Sequence, residues 1–284
     1  MKIVWIILAV LLGLAVLWLI AIFCRRKKNA FSALNAHNYA HRGLHDAKNG
    51  VPENSLLAFR LAVEHGYGAE LDVHLTRDGR LAVMHDESLR RTAGVARDLR
   101  DMTEEELAAC RLEGTDEKVP FLEEVLPIFE GKAPLVVEIK PCKGNHAELT
   151  RRTCELLDRY PKLDYCIESF DPRVLWWLRR HRPEIVRGQL SSNFMKERSG
   201  LALIVRFILT NLLTGFLTAP DFIAYNYDCR RNLSLRLCRN FRGRSAVPRM
   251  PKPRWTTAAL SSLSTACRRR FNNPSQRTKY KFRF

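Results

Sequence analysis

Acidic residues are absent from the C-terminal stretch of this chain. All 30 Asp and Glu lie at or before Asp228, whereas residues 229–284 carry 16 of the 47 Lys and Arg. The formal net charge of +17 therefore belongs to that stretch, and residues 1–228 hold 31 basic and 30 acidic side chains. A near-neutral body excludes a protein that works through a basic surface over its whole length. The basic stretch has no sustained apolar period and, beyond residue 240, no basic helical pattern. That argues against specific nucleic-acid recognition and leaves an acidic lipid surface as the binding reading.

Charge of either sign is missing from residues 3–23, IVWIILAVLLGLAVLWLIAIF. Twenty-one such residues suffice to cross a bilayer core as a helix. No Ala-x-Ala site follows the run, and the cluster Arg25-Arg26-Lys27-Lys28 comes after it, so an uncleaved single-pass anchor is favoured over a signal peptide. Phe23 is bulky where a lipid-modified Cys24 would want a small neighbour. With only Lys2 ahead of the run, the positive-inside tendency puts the N-terminus outside and everything after residue 28 in the cytoplasm. Paired cysteines are missing too. The eight, at 24, 110, 142, 154, 166, 229, 238 and 267, form no Cys-x-x-Cys, which fits a reducing compartment and argues against zinc.

Beyond a short linker at 29–38, apolar runs alternate with helical patterns. Strands are expected at 39–43, 69–76, 80–86, 135–140, 165–170, 186–190 and 221–227. Helices are expected at 55–66, capped by Asn54 or Ser55 and ended by Gly66, and from the Thr103–Glu106 capping box. Further helices are expected within 119–129, at 146–160 and at 171–181, the last with Pro172 in its first turn. Strand–helix alternation of this kind points to an α/β barrel or a doubly wound sheet. Residues 201–219, LALIVRFILTNLLTGFLTA, read either as an ordinary barrel helix or as a helix lying on the membrane that holds the anchor.

The segment AELDVHLTRDGRLAVMHD (69–86) sets a chemical problem. Side chains alternate along a strand, so Glu70 and Asp72 leave the same face among apolar neighbours. Two buried carboxylates repel unless a cation lies between them. A divalent metal would serve, and so would a Lys or Arg partner. Glu138 adds a third hard oxygen ligand, a set suited to Mg²⁺ or Ca²⁺. His41 and His85, at strand ends, can exchange protons near neutral pH. Arg42 and Lys140 can hold an anionic phosphoryl oxygen. His74 reads as structural, His45 as loop surface, and Asp78 and Asp86 as turn residues. Metal, imidazoles and cations around one cleft match phosphodiester cleavage.

In order and spacing, His41-Arg42-Gly43, Pro52-Glu53-Asn54-Ser55, Glu70-Leu71-Asp72-Val73, His85-Asp86, Glu138-Ile139-Lys140-Pro141 and Ser169-Phe170-Asp171 resemble the motifs of the glycerophosphodiester phosphodiesterase family, over about residues 39–228. The resemblance implies a TIM-type (β/α)8 barrel with a small insertion between its second strand region and its fourth. It implies a divalent metal, Mg²⁺ or Ca²⁺, on Glu70, Asp72 and Glu138, with His41 and His85 as the acid/base pair and Arg42 and Lys140 beside the phosphate. Glu53 reads equally as a residue lining the site or as a helix-start residue. The implied substrate is a glycerophosphodiester such as glycerophosphocholine, or a related lysophospholipid, cleaved to glycerol 3-phosphate and an alcohol.

After 221–227 the family pattern calls for a helix and a strand resembling Trp-Thr-Val-Asn. RNLSLRLCRN (231–240) begins the helix, but the following residues lack acids and are rich in Arg, Ser, Thr and Pro. The expected organisation is an anchor with basic flank at 1–28, a barrel at 39–240, and an atypical basic tail at 241–284, disordered or read out of frame, that leaves the barrel incomplete. Three functions follow: a membrane-anchored glycerophosphodiesterase, a lysophospholipase D acting on membrane lysolipids, or an inactive membrane-tethered barrel remnant.

Overall fold

The computed structural model describes residues 1–23, 34, 37–197, 200–229 and 231–242. The basic flank at 24–28, most of the expected linker, and the tail from 243 onward lie outside them. The described residues fall into two units, one running up to Glu168 and one comprising residues 1–23 and 169–242. The apolar run forms helix α1 (Lys2–Ala21), which belongs to the second of these.

In the first unit, β1 (Tyr39–His41), β2 (Gly68–Leu75), β4 (Leu135–Ile139) and β5 (Tyr165–Ser169) run parallel in that order, and β3 (Leu81–Val83) pairs antiparallel with β2. Seven of the eight β2 residues are buried, the continuous burial expected of a parallel strand covered on both faces. Between the strands stand α2 (Leu56–Glu64), α3 (Arg90–Ala93), α4 (Glu104–Ala108), α5 (Leu122–Phe129) and α6 (His146–Leu157). The hydroxyl of Ser55 caps α2 by accepting from the Ala58 N–H at 3.1 Å. The Thr103–Glu106 capping box opens α4 as expected. Phe59 of α2 meets Phe129 of α5 edge-to-face at 5.9 Å between ring centroids. The β3–α5 connection has a small core of its own, with Met84, Leu89, Leu99, Met102, Leu107 and Leu112 buried together, which makes it the insertion expected before the fourth strand.

In the second unit, α7 (Pro172–His181) begins at Asp171, whose carboxylate accepts from the Arg173 N–H. It leads to β6 (Arg187–Ser191), which pairs in parallel with β7 (Phe222–Tyr225). The apolar stretch between them is two helices rather than the single one expected, α8 (Leu203–Thr210) and α9 (Gly215–Thr218). Leu212 takes a left-handed backbone, φ 58°, and a non-glycine residue in that conformation stops a right-handed helix. The last helix is α10 (Leu233–Arg242). The C-terminal end of α1 is fastened here: Trp18 Nε1 donates to Ser234 Oγ at 2.9 Å, and Ile22 is buried with Leu212, Ile223, Tyr225 and Leu235. A Cβ at Gly215 would fall 2.5 Å from the Phe23 carbonyl oxygen, so the absence of a side chain there permits the close approach.

Candidate active site

Parallel register assembles the site within the first unit. His41 on β1 is level with Glu70 on β2, Asp72 on β2 with Glu138 on β4, and Glu138 with Glu168 on β5. Because residues level across parallel strands share a face, three strands deliver four carboxylates to one place. Ligand oxygens of Glu70, Asp72 and Glu138 all lie within 4.8 Å of one another, and all three residues are buried. From the sequence alone Glu168 is simply part of the strand expected at 165–170. Its place was legible in the repeated pattern of LVVEI and YCIES, each with a Glu next to last.

The N-terminal loops hold these carboxylates in position. Arg42 and Asn54 both adopt left-handed backbones, φ 56° and 54°, a conformation that costs a non-glycine residue ~1–2 kcal/mol. The strain has a local return: the Arg42 N–H donates to Glu70 Oε2 at 3.1 Å, Asn54 Nδ2 donates to Asp72 Oδ2 at 2.8 Å, and the Asn54 N–H donates to the Arg42 carbonyl at 2.9 Å. Between them the chain bends sharply at Gly43, where a Cβ would stand 2.8 Å from that of Ala58.

Two cations reach the cluster. Lys140 Nζ lies 3.2 Å from Asp72 Oδ1 and 3.0 Å from Glu138 Oε1, and Arg42 Nε lies 3.7 Å from Asp72 Oδ2. They do not balance four buried acids. Burial and then repulsion from Asp72 push Glu138 up to about 7. Burial and its acidic neighbours likewise raise Glu70 and Glu168 well above the ordinary carboxylate range. Burial works against ionisation of Asp72 as well, but Lys140, His85 and Arg42 bring it down to about 2. Among the described residues, the buried Glu70 Oε1 and Glu168 Oε1 have no hydrogen-bond partner. A surplus of hard oxygens, part of it unsatisfied, is what a divalent cation would neutralise, so the donor set fits Mg²⁺ or Ca²⁺.

The imidazoles flank this cluster. His41 Nε2 is 3.8 Å from Glu70 Oε2, and burial followed by the Arg42 charge lowers its pKa to about 4. His85 Nδ1 meets Asp86 Oδ1 at 2.6 Å. Burial lowers His85 too, against the upward pull of Asp72. Asp86 is thus more than a turn residue, whereas Asp78 accepts from Thr76 Oγ1 beside Gly79 as a turn residue should. His74 is structural, its Nε2 against the His85 carbonyl at 3.2 Å. His45 is half-buried rather than loop surface, with Nδ1 against the His41 carbonyl at 3.1 Å. Glu53 stays outside the acidic cluster and clasps Arg42 Nη1, both of its oxygens at 3.1 Å.

A parallel α/β fold with acids, imidazoles and cations gathered at strand ends is the TIM-type barrel pattern, in which that edge carries the chemistry. Solved structures bear out the fold. A phosphodiesterase of Oleispira antarctica, in complex with the product sn-glycerol-3-phosphate, matches 77% of this chain and 94% of its own at 24% identity and a TM-score of 0.56. The glycerophosphodiester phosphodiesterase of Thermotoga maritima matches 72% and 80% at 28% identity and 0.53. The sequence pattern of the glycerophosphoryl diester phosphodiesterase family matches residues 41–232, and this chain belongs to that family. Among curated relatives, the glycerophosphodiester phosphodiesterase of Bacillus altitudinis is 40% identical over 109 residues, 36% of this chain and 43% of that protein. Lysophospholipase D GDPD1 of Homo sapiens is 36% identical over 149 residues, 48% of this chain and 44% of that protein. The chain thus spans less than half the length of both.

Proposed function

We propose that this protein hydrolyses glycerophosphodiesters to glycerol 3-phosphate and an alcohol, at a membrane surface and with a divalent cation. The observation that carries the reading is the buried set Glu70, Asp72 and Glu138, whose oxygens converge within 4.8 Å beside two imidazoles. These three carboxylates would hold Mg²⁺ or Ca²⁺, which when bound offsets phosphate charge at the reacting centre. Arg42, steadied by Glu53, and Lys140 supply cations for the phosphoryl oxygens. His41 and His85 form the acid/base pair for the net addition of water across the P–O bond, one imidazole taking the proton of the nucleophile and the other protonating the leaving alkoxide. The product in the Oleispira antarctica structure supports glycerol 3-phosphate as the common half of the substrate.

A second reading, lysophospholipase D action on lysolipids within the bilayer, is favoured by the second unit. Among the described residues α1 alone is long and apolar enough to cross a membrane. The α8 face exposes Leu203 and Ile204, 65% and 64% accessible, together with Phe207, the composition of a helix that lies in an interface. The human relative named lysophospholipase D agrees with this reading.

The deciding experiment gives the purified full chain glycerophosphocholine, or lysophosphatidylcholine in vesicles, with and without Mg²⁺ or Ca²⁺. Metal-dependent release of choline that disappears in His41→Ala is expected. Lipid binding without turnover of either substrate would instead identify an inactive tethered barrel.

A further inference from the structure

Arg91 lies outside the acidic cluster, yet it joins the two sides of the site. It sits in the short helix α3, between Leu89 and Thr92, which are buried in the insertion. Its Nε donates to Asp86 Oδ2 and its Nη2 to Glu53 Oε1, each at 2.5 Å. The other oxygen of Asp86 meets His85 Nδ1 at 2.6 Å, and Glu53 in turn clasps Arg42. One guanidinium therefore ends two chains of contacts, one through Asp86 to an imidazole and the other through Glu53 to a cation.

We propose that Arg91 is a positioning residue, through which the insertion sets the orientation of His85 and Arg42 together. This rests on the reading of His85 and Arg42 given above. A carboxylate at Nδ1 fixes which ring nitrogen carries the proton and leaves Nε2 for exchange. The His74 contact to the His85 backbone carbonyl steadies the same residue from β2. Without Arg91, Asp86 and Glu53 keep their partners but lose the planar fork that holds both carboxylates in register.

The chain also makes an electrical prediction with opposite signs. Asp86 divides its charge between Arg91 and His85. Removing Arg91 leaves that charge to the imidazole, and neutralising Asp86 removes it. The other groups facing His85, namely Asp72 and His74 on β2, Lys140 after β4, and His41 and Arg42 at the end of β1, are unchanged in both variants. The test is an NMR titration of isotope-labelled histidines in the full chain in detergent micelles. Arg91→Gln should move the His85 midpoint to higher pH and Asp86→Asn to lower pH, with Arg91→Lys between wild type and Arg91→Gln. In turnover assays Arg91→Gln should lower kcat ~10-fold or more with KM little changed, the signature of lost orientation. Midpoints that move the same way in Arg91→Gln and Asp86→Asn, or that do not move, overturn the proposal. If Arg91→Gln does not fold, a midpoint in Arg91→Lys at or below wild type overturns it too. A wild-type chain without turnover would sink the enzymatic reading, while the titration would still decide the link.

Discussion

Asp72 and Glu138 share one ammonium group: they face each other across the parallel β2–β4 register, and Lys140 Nζ stands 3.2 Å from one and 3.0 Å from the other. The same pair is two-thirds of the proposed metal-binding triad. Lysine and metal thus act on the same negative charge, and changing either alters what the other contributes.

Replacing Lys140 with Met should destabilise the metal-free protein, because the buried carboxylates lose their principal cation, a loss that typically costs ~3–5 kcal/mol. Mg²⁺ or Ca²⁺ should then bind more tightly and recover part of that stability, while turnover falls. Calorimetric titration together with thermal melts with and without metal measures both effects. Metal affinity equal to or weaker than wild type would contradict the shared-charge account.

Glu138→Gln has a pH signature. In the folded protein Glu138 is raised from 4.5 to about 7, so its contribution to stability is full below pH 4.5 and is lost as pH rises through 7. The variant lacks that loss. Without metal it should match wild type near pH 4.5 and melt ~7–14 °C higher at pH 8. Adding Mg²⁺ at pH 8 should reverse the order, since wild type gains a ligand-bound state. A melting difference that is flat between pH 4.5 and 8 would count against the raised carboxyl.

Asn54 performs two tasks that substitution can separate. Asn54→Gly keeps the left-handed backbone at low cost and loses the bond to Asp72; Asn54→Ala loses the bond and strains the turn. Alanine should be the less stable of the two by ~1 kcal/mol, with similar loss of turnover in both. Chemical denaturation gives the difference, and equal stabilities would mean that the turn relaxes.

The exposed α8 face bears on the choice of substrate. Leu203→Glu combined with Ile204→Glu should reduce turnover of lysolipid in vesicles ~10-fold, since charge opposes interfacial insertion. Turnover of soluble glycerophosphocholine should stay within about twofold, because neither residue lies among the site groups. Equal losses on both substrates would remove the case for lipid contact by this helix.

Several parts of the fold and of the site were legible because their signals are local. Alternation along ELDV put two acids on one face, Thr103 and Glu106 announced a helix start, and the ordered motifs carried the family. Asn54 shows where local reasoning stops. As a capping candidate it competes with Ser55; the hydroxyl of Ser55 takes the cap, and Asn54 is left for a carboxylate 18 residues away. Asp86 and Arg91 also lie beyond local rules, since nothing in HDESLRR indicates that the arginine returns to its fifth predecessor and also to Glu53.

By itself the sequence determined the alternation of strands and helices, the apolar N-terminal helix, and which side chains could carry phosphodiester chemistry, because periodicity and capping act over a few residues. Only the tertiary structure decided that Glu168 joins the acids, that Lys140 lies between Asp72 and Glu138, and that Arg91 reaches both His85 and Arg42 through their carboxylate partners. Those are matters of strand register and loop closure, set by the packing of segments far apart in the chain, and no short stretch of residues encodes them.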